Sequence, residues 1–307
     1  MFVLRRSILT LAWLVGAVAA SPARAEPEVV TLELPGASVH LLIEDEPFDI
    51  GRDALQDWVQ RSAQIVGSYY GRFPVGEAHV AIRGRRGSGV YNGRAFGTVG
   101  AVVNITIGVN STQAQLDDDW ILIHELIHFA FPSVPRRHHW IEEGLSVYVE
   151  TIARANAGAL TPSLAWDEFM AGMPQGLPKS GDRGLDYTPT WGRTYWGGAL
   201  FCLLADVRIR QQTGGEFSLR DGLRAIVSSG YNITQSAELR TVLAVADAAT
   251  GVTVLTELYD DMRAAPYPAD IDGLWQALGV SRQADRIVFD DQAPLVAIRD
   301  SITARDF

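Results

Sequence analysis

The stretch that decides the fold is WILIHELIHFAFPSVPRRHHWIEEGLSVYVE, Trp120 to Glu150. Its first twelve residues are apolar except for His124, Glu125 and His128, which predicts a buried helix carrying three polar side chains. Residues four apart on a helix project about 40° from each other, so both imidazoles face one side and Glu125 lies roughly 100° from the first. Such a pair can bind one tetrahedral metal ion, whereas two histidines packed in a core would be the alternative.

A zinc site of this kind needs a third protein ligand. The metzincin arrangement would place a histidine six residues after His128, and it is excluded because Val134 stands there. His138 and His139 follow in a polar loop, SVPRRHH. A loop histidine can reach a metal, but solvated surface is the expected environment of both.

A second amphipathic helix after this loop offers a better ligand. In WIEEGLSVYVE the apolar residues recur at helical spacing, and Glu143 precedes a glycine that permits close approach of another helix. We therefore predict that Glu143 completes a site for one zinc ion with the two motif histidines. Glu142 is the alternative third ligand.

These residues resemble the gluzincin metallopeptidases, in which HExxH is followed by a helix with an Asn/Glu-Glu-Gly-x-Ala-x-Tyr-like sequence. Here that helix contains EEGLSVY, Glu142 to Tyr148. The resemblance implies zinc ligands at His124, His128 and Glu143, and a general base at Glu125. Fourteen residues separate His128 from Glu143, fewer than in the aminopeptidase N-like family, so compact peptidase-MA-like members match better.

The downstream segment TYWGGALFCLLADVRIRQQTGGEFSLRDGLRAI, Thr194 to Ile226, is similar to part of the glycyl aminopeptidase-like family. The resemblance implies that Tyr195, in a Tyr-x-x-Gly motif with Gly198, helps to stabilise the transition state. Tyr187 is a weaker candidate, and a tyrosine of the core is the alternative for Tyr195.

The rest of the chain predicts an α+β fold, which the resemblance specifies as a thermolysin-like (gluzincin) catalytic domain. Alternation predicts strands near 29–43 and 78–83, and β-branched residues a strand near 98–109, with a helix at 50–70 and a glycine-rich loop at 84–93. Helical patterns follow near 118–131, 140–157, 193–213, 218–228, 236–249 and 252–264, and the tail 286–298 has strand character. We predict a sheet lobe at 26–115 and a mainly helical lobe at 116–307, which form one catalytic unit with the active site between them.

A peptide or protein substrate is expected to add to an edge strand, for which Thr98–Val109 is the candidate. In aminopeptidase N-like enzymes a carboxylate from this region grips the free amine of the substrate. No Asp or Glu occurs between residues 78 and 116, whereas the region contains Arg83, Arg85, Arg86 and Arg94. This favours endopeptidase action or recognition of an acidic substrate group. An aminopeptidase that uses Glu142 as its amine anchor is the alternative specificity. For the four arginines, the alternative is a solvated cluster without a role in substrate binding.

The amino terminus predicts export. Arg5 and Arg6 precede a 14-residue apolar run that ends in a small-residue pattern, so a signal peptide is expected with cleavage after Ala25. Cleavage changes the formal net charge from −10 to −13, which argues against nucleic acid and anionic lipid as partners. We expect a secreted or periplasmic zinc peptidase without stable membrane insertion. A catalytically silent peptide-binding protein is the alternative, and the sequence leaves the oligomeric state open.

Overall fold

Residues 29–44 and 47–305 are described in a computed structural model, and they begin with a five-stranded mixed sheet. Its strands are β1 (Val29–Leu34), β2 (Ala37–Ile43), β3 (Glu77–Arg85), β4 (Val90–Phe96) and β5 (Ala101–Gly108). They lie in the order β1-β2-β3-β5-β4. The central strands β2, β3 and β5 are parallel, and β1 and β4 run antiparallel at the two edges. The predicted signal peptide lies outside the described residues.

The prediction that Thr98–Val109 is an edge strand is wrong. This region forms β5, which is paired on one side with β3 and on the other with β4. On this side of the sheet the edge strand is β4, which starts inside the segment that we predicted as a glycine-rich loop. Its residues Asn92, Gly93 and Arg94 have weak strand propensity, and pairing with β5 supplies the order that local sequence does not.

Eleven helices and a short hairpin complete the described chain. The helices are α1 (Arg52–Tyr70), α2 (Gln113–Asp117), α3 (Ile121–Ile127), α4 (His139–Asn156), α5 (Pro162–Gly172), α6 (Gly198–Gln212), α7 (Leu219–Ser228), α8 (Leu239–Thr250), α9 (Val254–Arg263), α10 (Ile271–Leu278) and α11 (Val296–Ile302). The hairpin consists of β6 (Val280–Gln283) and β7 (Arg286–Phe289). Of these, α2, α5, α10 and α11 were not predicted. None of the helices among the described residues has both the length and the hydrophobicity that a bilayer span requires.

Two of the predicted helices have irregular ends at the place where the site forms. The helix predicted for 118–131 is α-helical only over α3, and one 3₁₀ turn, His128–Ala130, follows it. The helix predicted for 193–213 begins with a π-helical turn, Arg193–Gly197, before α6. Turns of this kind shift side chains relative to a regular helix and are frequent at functional sites.

Helices α4 and α6 cross at a contact between two glycines. A Cβ atom added to Gly144 would lie 2.2 Å from the backbone carbon of Gly198, and one added to Gly198 would lie 2.0 Å from the backbone oxygen of Trp140. Both distances are far below van der Waals contact, so the crossing requires residues without a side chain. The glycine after Glu143 therefore permits the close helix approach that the sequence predicts.

One hydrophobic cluster joins the sheet to the helices. It extends from Leu34 in β1 to Ile302 in α11, and its largest fully buried side chains include Trp140, Trp166 and Tyr148. Because the same cluster contains side chains from the strands and from the helices, the sheet fixes the position of α3 relative to β4. This contact places His124 of α3, and His128 in the turn that follows it, beside the open edge of β4.

The prediction that His138 is solvated is wrong. Its side chain is buried, with 1% of the residue surface exposed, and its Nδ1 lies 2.8 Å from Oδ1 of Asp186. The indole N–H of Trp140 donates to the same oxygen at 2.8 Å, and the hydroxyl of Tyr259 donates to Oδ2 at 3.4 Å. A distant carboxylate thus compensates for burying the histidine, and the polar loop sequence contains no sign of it.

Candidate active site

Three predicted ligands converge between α3 and α4. Nε2 of His124 lies 3.3 Å from Oε2 of Glu143, and Nε2 of His128 lies 3.7 Å from the same oxygen. One ligand atom from each of the three residues lies within 4.8 Å of the others. Zinc bonds of 2.0–2.1 Å in a tetrahedron separate two ligand atoms by about 3.4 Å, so this set fits one zinc ion. Glu142 and His139 are not members of the group.

The ionisation states of these side chains also suit a metal. Burial, reinforced by the charge of His124, lowers the pKa of His128 to about 3, which keeps its imidazole neutral. Burial by itself would raise the pKa of Glu143, but hydrogen bonds with His124 and His139 lower it below its ordinary value. Neutral imidazole and ionised carboxylate are the forms that coordinate a metal ion.

Ser146 fixes the ring of His128 from behind. Its Oγ lies 3.2 Å from Nδ1 of His128, while Nε2 of the same ring points to Glu143. A hydrogen bond at one ring nitrogen sets the tautomer and the orientation of the other nitrogen. Sequence analysis missed Ser146, although its position three residues after Glu143 places both side chains on one face of α4.

Glu125 lies against the free edge of the sheet. The backbone N–H of Ala95 in β4 is near enough to its carboxylate to favour the ionised form, and the residue is 9% exposed. A Cβ atom on Gly93 would lie 2.5 Å from Cγ of Glu125, so this glycine makes room for the side chain. Burial raises the pKa of Glu125, and the charge of Glu143 adds to this, while His124, the Ala95 N–H and Arg94 oppose it.

Tyr195 faces the same carboxylates from the π-helical turn before α6. It is half-buried, and burial together with the charges of Glu143 and Glu125 raises the pKa of its hydroxyl. The glycine contact between α4 and α6 holds this turn close to the predicted metal ligands. The weaker candidate, Tyr187, is exposed and is not among the residues lining the cleft described next.

A cleft of about 1140 Å³ runs across these residues. Its walls are β4, α3, α4, α5, the segment 191–196 and the loop 233–236. Among its lining residues are the aromatic side chains of Tyr91, Phe96, Trp120, Trp191, Tyr195 and Trp196. Acidic side chains on α4 and α5, Glu150 and Glu168, also line it, and sequence analysis did not select either of them.

Three of the four arginines of the sheet region, Arg83, Arg85 and Arg94, have separate neighbours. Arg83 pairs with Glu44 at 3.2 Å, and the guanidinium of Arg85 lies 3.9 Å from the ring centroid of Tyr91. Arg94 lines the cleft, and its guanidinium lies 5.0 Å from the ring centroid of Phe96. Strand β4 thus carries the positive charge of Arg94 and contains no Asp or Glu.

Solved structures with a similar fold include an aminopeptidase N family protein and M1 zinc metallopeptidases. The chain matches an aminopeptidase N family protein from Idiomarina loihiensis with a TM-score of 0.61 and 13% identity, over 84% of this chain and 50% of that chain. It matches a mutant of an M1 zinc metallopeptidase from Deinococcus radiodurans with a TM-score of 0.51 and 17% identity, over 80% and 53%. A mutant of an M1 zinc metallopeptidase from the same organism, bound to a Tyr-Ser-Ala substrate, matches with a TM-score of 0.50 and 14% identity, over 80% and 53%.

At these identities the similarity shows the fold alone, a mixed α+β fold that resembles M1 peptidase domains. The chain spans about half the length of the solved structures that it matches. No protein-family model matches the sequence, and comparison with curated proteins finds no match. The class of the fold therefore comes from the structure, and the candidate metal centre comes from the positions of three side chains.

Proposed function

We propose that this protein is a zinc-dependent peptidase with a gluzincin-type site, His124, His128 and Glu143 binding one zinc ion. The observation that carries this proposal is the spacing of the three ligand atoms, 3.3 Å and 3.7 Å from the two imidazoles to one carboxylate oxygen. These distances are close to those of a tetrahedral zinc site. The buried glutamate beside it and the open strand edge supply the remaining parts of a hydrolytic centre.

Zinc, when bound, acts as a Lewis acid toward a water molecule and a scissile carbonyl. Glu125 accepts the proton of the attacking water and then passes it to the departing amine. The hydroxyl of Tyr195 donates a hydrogen bond to the carbonyl oxygen as negative charge develops there. Hydrolysis of an amide bond is the resulting reaction.

The substrate main chain is proposed to pair with β4. The N–H of Ala95 points away from β5, toward Glu125, and backbone groups two residues apart on a strand share a side. The N–H and C=O of Gly93 therefore face the cleft and can bind an extended peptide. This replaces β5, which has two partners already, as the substrate strand.

Endopeptidase action agrees better than aminopeptidase action with the side chains of β4 and with the contacts of Glu142. The edge strand carries Arg94 and no carboxylate, and the carboxylate of Glu142 is engaged by the N–H of Val134 and by His139. A free substrate amine thus lacks an unengaged anchor on β4 or at Glu142. Aminopeptidase activity is the second candidate, because a matched structure belongs to the aminopeptidase N family. Cleavage of one peptide with a free and an acetylated amine separates the two, since strict dependence on the free amine contradicts endopeptidase action.

The decisive experiment compares wild type with Glu125→Gln on a peptide pool, with zinc content measured for both. We expect one zinc per chain in both proteins and cleavage by wild type only. Glu77→Gln, which changes an exposed glutamate of β3, is the control and should cleave normally. Zinc without cleavage by wild type supports a peptide-binding protein instead. Absence of zinc from wild type contradicts the metal site.

Export and lobe organisation are separate parts of the proposal. We infer secretion or periplasmic location from the pattern of Met1 to Ala25, and we divide the mature chain at residue 115 into a sheet lobe and a helical lobe. Amino-terminal sequencing of the exported protein tests the cleavage site. A chain that retains residue 1 contradicts it.

A further inference from the structure

The two oxygens of the Glu143 carboxylate have different neighbours. Oε2 faces His124 and His128, at 3.3 Å and 3.7 Å. Oε1 points the other way, and Nε2 of His139 lies 3.2 Å from it. One oxygen of the Glu143 carboxylate therefore contacts the two predicted histidine ligands, and the other contacts His139.

His139 is itself held by a second carboxylate. Its Nδ1 lies 2.9 Å from Oε2 of Glu142, and Oε1 of Glu142 accepts the backbone N–H of Val134 at 3.2 Å. A continuous set of contacts thus runs from the loop before α4, through Glu142 and His139, to the outer oxygen of Glu143. His139 is the first residue of α4 and lies one turn before Glu143, so the helix sets the distance between them.

We propose that His139 is a positioning residue that orients the Glu143 carboxylate for the metal ion, an inference that rests on the proposed zinc site. A carboxylate at the end of a glutamate side chain rotates readily about its last torsion. A donor on Oε1 fixes the carboxylate plane and directs Oε2 toward the histidines. Groups of this kind behind a metal ligand change metal affinity without touching the metal.

The geometry separates this role from that of a fourth ligand. The nitrogens of His139 are not among the atoms that converge within 4.8 Å, and its ring lies between two carboxylates. Its side chain is 52% exposed and lines the cleft, so replacing it leaves the core unchanged. Direct contact with substrate is the competing role, and affinity for zinc in the absence of substrate distinguishes the two.

The test is the zinc dissociation constant, measured by competition with a chromophoric chelator, for wild type, His139→Ala and His139→Gln. His79→Ala is a matched control, because the side chain of His79 is 51% exposed and belongs to β3, outside the cleft lining. Loss of a group behind a metal ligand weakens affinity by about 10- to 100-fold, which we expect for His139→Ala. His139→Gln keeps an N–H donor and should recover part of the loss, and His79→Ala should equal wild type.

An unchanged zinc affinity in His139→Ala overturns the proposal, and if cleavage falls at the same time, His139 acts on substrate instead. Failure of wild type to bind zinc overturns the proposed function together with this inference. Tight zinc binding by wild type without cleavage leaves the positioning role measurable, since affinity needs no turnover. Equal melting temperatures of the metal-free wild type and His139→Ala show that the variant is folded.

Discussion

Gly93 is the residue whose substitution tests the proposed general base most directly without changing it. This glycine lies in β4, where a Cβ atom would be 2.5 Å from Cγ and 3.1 Å from Cδ of Glu125. Gly93→Ala therefore displaces the Glu125 carboxylate while leaving its chemistry intact. The predicted zinc ligands are not among the nearest atoms that the new methyl group meets, so metal binding is expected to be unchanged.

The size of the effect follows from the overlap. Two non-bonded carbon atoms reach favourable contact at about 3.5–4.0 Å, so Cγ of Glu125 must move by at least about 1 Å. A misplacement of about 1 Å in a reacting group costs roughly 100-fold in rate, equivalent to about 2.7 kcal/mol of activation free energy. We expect kcat to fall by about 100-fold, within the loss of about 100- to 10,000-fold typical of removing a general base.

The assay is steady-state cleavage of one peptide by zinc-loaded wild type and Gly93→Ala, with zinc content and melting temperature measured in parallel. Gly76→Ala is the control, because its φ is not positive and a Cβ atom there meets nothing within 4 Å. It should retain the kcat of wild type. Full activity in Gly93→Ala would refute the position assigned to Glu125. Loss of zinc from Gly93→Ala would show instead that the methyl group disturbs the ligands.

Three further changes probe packing and burial. Gly144→Ala places a methyl group against the backbone of α6 and should lower the free energy of unfolding by about 3 kcal/mol or more, measured by urea denaturation against Gly76→Ala. Asp186→Ala removes the partner of a buried histidine and a buried indole, and we expect a loss of about 3–5 kcal/mol by the same method; a loss below about 1 kcal/mol would contradict the assigned contacts. Burial raises the pKa of Asp119 to about 6. The protonated carboxyl therefore contributes fully to the free energy of unfolding below the unfolded pKa of about 4, and this contribution is lost as the pH rises through 6. Between about pH 4 and 7, the free energy of unfolding of wild type should therefore fall by up to about 3 kcal/mol relative to that of Asp119→Asn. If the stabilities of the two proteins change with pH in parallel, Asp119 does not titrate as described.

Local sequence patterns were sufficient for elements that need no distant partner. The hairpin of β1 and β2 follows from alternating residues around Pro35-Gly36, and Gly36 has the positive φ of 73° that favours glycine in a turn. Helical periodicity likewise places His124 and His128 on one face. Each feature depends only on residues within two helical turns or within one β-hairpin, so the local sequence pattern is sufficient to predict it.

Some errors concern signals that were present in the sequence. Thr161 caps the helix α5, since its side chain accepts a hydrogen bond from the N–H of Leu164, and Pro162 occupies the first helical position. This is a standard helix start, and it was not used. Placing the start of α4 at His139 in place of Trp140 would also have put that histidine one turn before Glu143, on the same face.

Other errors concern properties that belong to two segments at once. The strand order that puts β4 at the edge depends on which strands pair, and periodicity along one strand does not contain that choice. The burial of His138 depends on Asp186, which lies in a different part of the sequence. A polar loop composition predicts exposure for such a histidine because a single distant carboxylate has no local signature.

Close backbone approach explains how the active-site residues are brought together. Gly93 admits Glu125 to the edge strand, and Gly144 with Gly198 admits the turn that carries Tyr195. A side chain at any of these positions would separate two groups that the proposed reaction uses together. The glycine after Glu143 was informative because it adjoins a predicted ligand, whereas Gly93 and Gly198 acquire their roles only through residues that lie far away along the chain. The proposed catalytic geometry and the stability of the fold are thus coupled at these glycines, and comparing kcat with unfolding free energy for each substitution separates the two effects.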